Sequence, residues 1–251
     1  ALDTLIEENQ DLVAATELNV TKNASGYNLS AIKGKDGSFD LTPLFIGSQG
    51  TLGVITEITL STEQYNPAST LIAAFCDDAE VLQDVVAELR KLSKPPSAIE
   101  MVDDNLLRYV NQFNPNQLRG IVKQPFPRFV LLVEFDDIST KTQAKMAKKA
   151  AKILDKHQLT YKVETDEIEV EQLWKIRHSV ASVLSHGRDS AEAVPIIDDA
   201  IVPTERTAEY IKRVYKLFEG YKMPVTVWGH LGNANLHVQP FLDLAQVGDR
   251  Q

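Results

Sequence analysis

The chain has 251 residues, a formal net charge of −9 and a sequence pI near 5.1. Its 43% hydrophobic and 24% charged residues are typical of a globular protein of one large or two smaller domains. Affinity for nucleic acid comes mainly from Lys and Arg side chains that neutralise phosphates, so this acidic balance argues against a nucleic-acid partner. The lysine-rich segment 141–152 is interpreted as the solvated face of a helix.

The single cysteine, Cys76, lies in an apolar run and cannot form an internal disulfide. A buried, inert thiol is therefore expected. The sequence contains no run of about 18 uncharged apolar residues, so no membrane span is expected. Neither feature points to an oxidising compartment or a membrane-embedded protein.

The first segment, up to about Leu60, is rich in turn residues. Alternation predicts a strand within Leu12–Val20, and Asp36-Gly37 predicts the tip of a hairpin. Segment 41–60 contains a glycine-rich turn between two β-rich runs.

The pattern changes after Pro67, where an apolar strand, an amphipathic helix and a short strand follow one another. The same order returns in segment 128–165. Two such β-α-β units predict an α+β fold built on a duplicated, ferredoxin-like antiparallel sheet with helices on one side. Further on, the pattern predicts a helix to Gly187, a strand ending at Pro203, another helix and a strand from Val225.

The loop "GSQGTLG" contains Gly47, Gly50 and Gly53. Such a tight turn can bring backbone N–H groups close to an anion or a flat ring. It contains neither the "GK[ST]" of a Walker loop nor the "GxGxxG" of a dinucleotide fingerprint. Three glycines in a loop are by themselves most often a simple turn.

The stretch "VTVWGHLGNANLHVQ" contains His230 and His237. A two-residue turn at Asn233-Ala234 would place these two histidines opposite each other, with their Cβ atoms roughly 4.5–5.5 Å apart on one face. Two imidazoles so placed can bind one metal ion. The alternative is a hairpin whose histidines are exposed or hydrogen-bonded. Alanine disfavours the positive φ of such a turn, so a strained turn or a turn of another type is a second possibility.

Three segments, "TKNASGYNL", "LTPLFIGSQGTLGVITEITL" and "GHLGNANLH", occur in this order, with "WKIRHSV" and "DDAIVP" before the last. Together they resemble the FAD-linked 2-hydroxy-acid dehydrogenases and oxidases. This family of vanillyl-alcohol-oxidase-like flavoproteins includes D-lactate dehydrogenases, glycolate oxidase FAD subunits and D-2-hydroxyglutarate dehydrogenases. The resemblance extends from about Thr21 to Gln239.

The resemblance implies that residues 1–66 are the C-terminal part of an FAD-binding α+β domain. Residues 67–251 would form the substrate or cap domain, truncated at its C-terminus. The glycine-rich loop that binds the FAD pyrophosphate in this family would precede Ala1. The residues that match the flavin-binding segments are Asn23, Gly26, Tyr27, Gly47, Ser48, Gly50, Thr51, Gly53 and Val54.

The resemblance also assigns roles in the substrate site. His230 and His237 match the family's ligands of a divalent metal such as zinc, and Asn235 matches a substrate contact. Arg177, three residues after Trp174, matches the arginine that binds the substrate carboxylate, although helical arginines more often form surface ion pairs. The family's third, carboxylate ligand and its candidate base would follow Gln251. His178 and His186 have no such match and are interpreted as ordinary polar residues.

The predicted function is oxidation of a small 2-hydroxy acid of the D-lactate or glycolate type to the 2-oxo acid, with hydride transfer to FAD. If Asp199 is the aspartate that precedes V-P in this family, Ile197 stands where dicarboxylate-specific members have a lysine, which weakens a hydroxyglutarate assignment. Partners would be the hydroxy acid and an unidentified electron acceptor, and a homodimer is one option. The expected location is cytoplasmic, with peripheral association with the inner membrane as an alternative.

Three alternatives stay open at this stage. One is a flavin enzyme of the same superfamily that acts on another alcohol or an ether lipid. Another is a non-catalytic fragment that does not hold FAD. A metal-dependent hydrolase built around the histidines is the third, although the sequence contains no H-E-x-x-H motif.

Overall fold

The structure is a computed structural model that describes residues 1–116, 118, 120–184, 192–193 and 196–248. These residues fall into two compact units, Ala1–Glu63 and Gln64–Gln251. The domain boundary predicted near residue 66 stays a prediction. Within the described residues, no helix is both long and apolar enough to cross a membrane.

The first unit contains three short helices, α1 (Leu2–Glu8), α2 (Gln10–Ala15) and α3 (Thr42–Phe45). The strand predicted within Leu12–Val20 was wrong, because α2 occupies its beginning. Alanine is the best helix former, and the brief alternation did not outweigh it. The hairpin tip at Asp36-Gly37 is confirmed by a single β-bridge between Lys33 and Phe39.

The β-rich runs predicted around the glycine turn do not form strands. The first run forms α3, and residues 52–66 have no regular secondary structure. Val54 is 90% exposed in this segment. A strand needs a neighbouring strand for its backbone hydrogen bonds, and the described residues of this unit supply none here. The local pattern was therefore insufficient.

The second unit begins with the two predicted β-α-β units. Their four strands are antiparallel neighbours in the order β4-β1-β3-β2, which is the ferredoxin-like arrangement. The elements are β1 (Thr70–Cys76), α4 (Ala79–Leu89), β2 (Ala98–Asp103), α5 (Asp104–Phe113), β3 (Phe129–Phe135), α6 (Thr140–Lys156) and β4 (Thr160–Glu164).

The remaining elements extend this sheet beyond β2. They are α7 (Glu167–Leu184), β5 (Glu192–Ala193), β6 (Ile197–Ile201), α8 (Thr207–Gly220), β7 (Val225–His230) and β8 (Asn235–Leu242). β7 pairs with β2, β8 pairs with β7, and both β5 and β6 pair with β8. The helix end predicted at Gly187 lies outside the described residues.

Hydrophobic residues cover both faces of the sheet, because successive residues of a strand point to opposite faces. On one face, Ile72 and Met101 pack with α4, α6 and α8. On the other, Leu71 and Val102 pack with α5 and α7, and this cluster includes Trp228. The helices of the two repeated units lie on one side as predicted. Helices α5 and α7 add a layer on the opposite face, which the sequence pattern did not indicate.

A buried carboxylate connects β2 with β7 and α8. Asp103 accepts hydrogen bonds from the Leu106 and Val227 amides at 2.9 and 2.8 Å. It also accepts bonds from the Thr226 and Tyr215 hydroxyls, both at 2.7 Å. Burial raises the pKa of this carboxyl, and the four hydrogen bonds act in the opposite direction. The network holds β7, which carries the candidate site, in register with β2.

Candidate functional site

The pairing of β2 with β7 brings a carboxylate to the histidine hairpin. In this ladder Met101 lies opposite Gly229 and Val102 opposite Trp228. One step further along the same register, Glu100 lies beside His230. Its Oε1 is 2.7 Å from the Nδ1 of His230, so the two side chains are hydrogen-bonded. The side chain of His230 is 41% exposed and therefore reachable from solvent.

The register predicted for the hairpin was wrong, because each β7 residue pairs with a β8 residue two positions earlier than expected. His237 lies opposite Trp228, and His230 lies opposite Asn235. The connection is a short 3-10 helix, Leu231–Asn233, followed by Ala234 in the left-handed region at φ 54°. The connection is therefore not the predicted two-residue turn at Asn233-Ala234 but a turn of another type, which the alanine had suggested as an alternative.

The two histidines still lie on one face of the hairpin, as diagonal neighbours. Residues two apart on a strand share a face, and His237 lies opposite Trp228, two residues before His230. Their ring centroids are 5.6 Å apart. The predicted approach of the two imidazoles is thus present in the structure, but through a different pairing.

Arg177, on α7, contacts the same group of side chains, the cluster around Glu100. Its Nε donates to Oε2 of Glu100 at 2.7 Å, and its guanidinium lies over the Trp228 ring, with Cζ 4.3 Å from the centroid. The side chain is 15% exposed, so it is not an ordinary surface arginine. Trp174, which shares a helix face with Arg177 in the sequence pattern, instead donates to Glu134 at 3.3 Å.

His237 is held by a separate carboxylate. Its Nδ1 is 2.5 Å from Oδ1 of Asp199. Asp199 lies within a register shift of β6 between Ile197 and Ala200, and bulges of this kind commonly re-aim side chains. Burial lowers the pKa of His237, as do the nearby charges of Arg177 and His230, while Asp199 raises it. The net shift is downward, which favours the neutral imidazole.

The backbone beside His237 is tightly packed. Gly229 has φ +133°, and a Cβ placed on it would lie 2.9 Å from Cδ2 of His237 and 3.0 Å from the carbonyl oxygen of Asn235. A side chain at this position would displace the imidazole. Glycine therefore permits the approach of β7 to the His237 ring.

The arrangement supplies two positions of a metal site. Carboxylates bonded to Nδ1 leave the Nε2 atoms of His230 and His237 as the ligating nitrogens, which is the usual outer-shell pattern for metal-bound histidine. A catalytic zinc site normally uses three protein ligands. No group of three His, Cys, Asp or Glu side chains in the described part of the chain is arranged to hold an ion. The described residues fit part of such a site and do not complete it.

Other sequence-predicted residues have different surroundings. Asn235 is buried, and its Nδ2 donates to the carbonyl oxygen of Ala200 at 3.3 Å, so it helps to hold β6 against the hairpin. Its predicted contact with substrate stays a prediction. His178 is exposed and stacks on Trp174, with ring centroids 5.4 Å apart. His186 lies outside the described residues.

The residues predicted to contact FAD lie in the first unit. The Tyr27 hydroxyl lies 2.8 Å from the Thr51 hydroxyl, and the Asn23 side chain accepts from the Ser25 amide at 3.0 Å. Asn23, Gly26 and Tyr27 line a concavity of about 550 Å³.

The glycine loop of this unit has a left-handed backbone at Gly47, Gln49 and Gly50, with φ of 78°, 51° and 79°. A Cβ on Gly47 would lie 2.6 Å from the Ala24 carbonyl oxygen, so this close approach requires glycine. Ser48 is buried within the loop, whereas Gly53 and Val54 are exposed. The loop can therefore offer backbone to a flat ring, and its contact with FAD stays a prediction.

Sequence reasoning did not single out Glu100 or Trp228, and it noted Asp199 only as a reference point for Ile197. The sequence pattern could have indicated Glu100, because it is the one charged residue in the apolar run "SAIEMV". A lone carboxylate in a buried strand needs a partner. The partner itself could not be read from the sequence, since Arg177 is 77 residues away.

A comparison with protein-family models matches residues 66–251 to the C-terminal domain of FAD-linked oxidases. The match includes most of the chain and all of the cluster around Glu100. The chain belongs to this family.

Among curated proteins, the chain is 25% identical over 235 residues to a D-2-hydroxyglutarate dehydrogenase of Haemophilus influenzae, covering 88% of the chain and 22% of the relative. It is 30% identical to a mitochondrial D-lactate dehydrogenase (cytochrome) of Arabidopsis thaliana, covering 87% of the chain and 36% of the relative. A glycolate oxidase subunit of Bacillus subtilis is 25% identical, with 79% and 40% covered. The chain thus spans less than half the length of these relatives.

Among solved structures, an alkyldihydroxyacetonephosphate synthase matches with a TM-score of 0.54 and 14% identity, covering 78% of this chain and 40% of that one. A p-cresol methylhydroxylase matches with a TM-score of 0.52 and 9% identity, covering 73% and 41%. At these identities the likeness concerns the fold alone. It supports the α+β architecture described above.

Proposed function

We propose that the chain is part of a flavin-dependent oxidoreductase that oxidises a small 2-hydroxy acid to the 2-oxo acid. The observation that carries the proposal is the position of Arg177, fixed against Glu100 and Trp228 on the same sheet face as His230 and His237. An oriented guanidinium beside two imidazoles matches a substrate with a carboxylate next to a hydroxyl. The relatives named for D-lactate, glycolate and D-2-hydroxyglutarate support the same chemistry.

The residues of the chain would bind and orient the substrate. Arg177 would bind the carboxylate through its two terminal nitrogens, since Nε is already bonded to Glu100. The Nε2 atoms of His230 and His237 would face the hydroxyl, and they are also the atoms that would hold a divalent cation such as zinc. FAD, when bound, supplies the hydride acceptor. The first unit, with its left-handed glycine loop, would contribute part of the flavin site.

A small monocarboxylate is the favoured substrate. By the resemblance, with Asp199 taken as the aspartate before V-P, the apolar Ile197 takes the position of the lysine found in dicarboxylate-specific members. A second carboxylate placed beside this isoleucine would gain no cationic partner from it. D-Lactate or glycolate therefore fits this residue set better than D-2-hydroxyglutarate.

The test is Arg177→Ala in the full-length, FAD-loaded enzyme. Loss of a charge-assisted, two-point contact is expected to raise KM for D-lactate or glycolate by about 10- to 100-fold. Arg177→Lys retains the positive charge but cannot form the two-point contact, so its KM should lie between the values of wild type and Arg177→Ala. Arg213→Ala is the matched control, because that side chain is 75% exposed and pairs with Glu209 on its own helix.

A second substrate separates this proposal from the alternatives. The corresponding diol, in which the carboxylate is replaced by a hydroxymethyl group, has nothing for Arg177 to bind. Arg177→Ala should therefore reduce the preference for the hydroxy acid over the diol. An unchanged KM and an unchanged preference would refute the role of Arg177. Absence of any hydroxy-acid oxidation by flavin-loaded wild-type enzyme would refute the function.

A further inference from the structure

Glu100 uses its two carboxylate oxygens for two different partners. Oε2 accepts from Nε of Arg177 and Oε1 is bonded to Nδ1 of His230, both at 2.7 Å. The Glu100 side chain is only 10% exposed, so water replaces neither bond easily. Glu100 thus joins Arg177, which in the proposed function binds the substrate carboxylate, to His230, which faces the substrate hydroxyl.

We infer that Glu100 is a positioning residue that fixes the tautomer of His230 and determines which edge of Arg177 remains free for a carboxylate. The inference deepens the proposed function and rests on it for the identity of the ligand. The substrate class is unchanged, and the new element is the way in which the two binding groups are held relative to each other.

The first consequence concerns His230. An ionised carboxylate has no proton to donate, so Nδ1 must carry the hydrogen of this bond. The neutral ring is then the Nδ1–H tautomer, with Nε2 as a lone-pair acceptor. A hydroxyl proton or a cation can be accepted only by such a nitrogen. Glu100 therefore keeps the exposed nitrogen of His230 in the form that binding requires.

The second consequence concerns Arg177. A guanidinium can bind a carboxylate side-on through Nε and one terminal nitrogen, or end-on through both terminal nitrogens. Glu100 occupies Nε, and the Trp228 ring packs against the guanidinium, with Cζ 4.3 Å from the ring centroid. Only the end-on edge can still form a two-point contact. The substrate carboxylate should therefore lie beyond the tip of Arg177.

Asp199 provides a matched comparison. It bonds to Nδ1 of His237, as Glu100 does to His230, but its side chain is 60% exposed. No bond between Asp199 and Arg177 is present among the described residues. A change at Asp199 should affect His237 and leave His230 and Arg177 as they are.

The test compares Glu100→Gln with Asp199→Asn in the full-length protein, labelled with ¹⁵N at histidine and treated with a chelator. Nuclear magnetic resonance identifies the His230 tautomer, with His230→Gln used to assign its signals. The glutamine amide has one oxygen and one NH₂ group, so it cannot accept from both partners. With its oxygen on Arg177, its NH₂ faces Nδ1 and should convert His230 to the Nε2–H tautomer. Asp199→Asn should leave the His230 tautomer unchanged.

Kinetics of the same variants give the second measurement. Glu100→Gln should raise KM for the hydroxy acid by about tenfold or more, since hydrogen bonds to charged groups contribute at this level. Restoring the charge with Glu100→Asp, which is one methylene shorter and can reach only one partner, should recover part of this loss and leave His230 as a mixture of tautomers. This variant is also the test if Glu100→Gln does not fold.

The outcomes separate the two proposals. An Nδ1–H tautomer of His230 in Glu100→Gln, or an Nε2–H tautomer in wild type, would overturn the inference. So would Glu100→Asp with a wild-type KM and a fixed Nδ1–H tautomer. The tautomer measurement needs no turnover, so an enzyme that oxidises no hydroxy acid would refute the proposed function without affecting this result.

Discussion

Replacing Gly229 with alanine tests how closely β7 approaches the His237 imidazole. The new Cβ would lie 2.9 Å from Cδ2 of His237 and 3.0 Å from the Asn235 carbonyl oxygen, in a backbone conformation at φ +133°. Unfavourable backbone conformations cost about 1–3 kcal/mol, and overpacking costs about 1–3 kcal/mol more. The variant should therefore lose roughly 2–6 kcal/mol in free energy of unfolding, the sum of these two effects.

Gly120→Ala is the control, because Gly120 also has a positive φ, +81°, but a Cβ there would meet no atom of the described residues within 4 Å. Both variants lose the same flexibility in the unfolded chain, so this contribution cancels in their difference. That difference reports mainly the close contacts of the new Cβ with His237 and the Asn235 carbonyl oxygen, and should be about 1–3 kcal/mol.

The assay is urea denaturation followed by tryptophan fluorescence for both glycine variants and for Gly229→Ala combined with His237→Ala. Removing the imidazole should recover part of the loss, which a double-mutant cycle measures directly. Equal stability of Gly229→Ala and Gly120→Ala would refute the close approach. A cycle with no coupling between positions 229 and 237 would do the same.

Two further predictions concern titratable groups, the buried Asp103 and the half-buried His237. Asp103→Asn places an amide NH₂ against a backbone N–H of Leu106 or Val227. The variant should therefore lower the free energy of unfolding by about 1–3 kcal/mol. A urea midpoint equal to that of wild type would contradict the hydrogen-bond network around Asp103. The lowered pKa of His237 means that the folded protein binds this proton less tightly than the unfolded chain. Its contribution to stability is thus fully present above the ordinary value of 6.5 and falls as the pH drops toward the folded value. In chelator-treated protein, His237→Asn should reduce the loss of stability below pH 6.5, and an identical pH dependence in both proteins would show that another group is responsible.

The repeated β-α-β pattern could be predicted from the sequence because strands and helices differ in the spacing of their hydrophobic residues. Strands such as Thr70–Cys76 are apolar throughout, and α6 alternates buried apolar positions with exposed lysines. These local patterns indicate element type and approximate order without knowledge of partners. The strand expected within Leu12–Val20 shows the limit, because a short alternation rich in alanine also suits a helix.

The resemblance carried by short motifs located Arg177, His230 and His237, and the structure brings these three side chains to one sheet face. The sequence could not determine the hairpin register, since the 3-10 turn at Leu231–Asn233 moves the partner of His230 by two residues, from His237 to Asn235. A two-residue turn and a four-residue connection are both compatible with the sequence "GHLGNANLH".

What the sequence determined by itself was the class of fold, the family and three side chains of the candidate site, because element type and motif are properties of neighbouring residues. Only the tertiary structure decided that Glu100 joins Arg177 to His230 and that Asp199 holds His237. These contacts depend on strand order, register and a bulge. The free energy that selects them comes from burying two sheet faces under separate helix layers, and it is distributed over the whole unit.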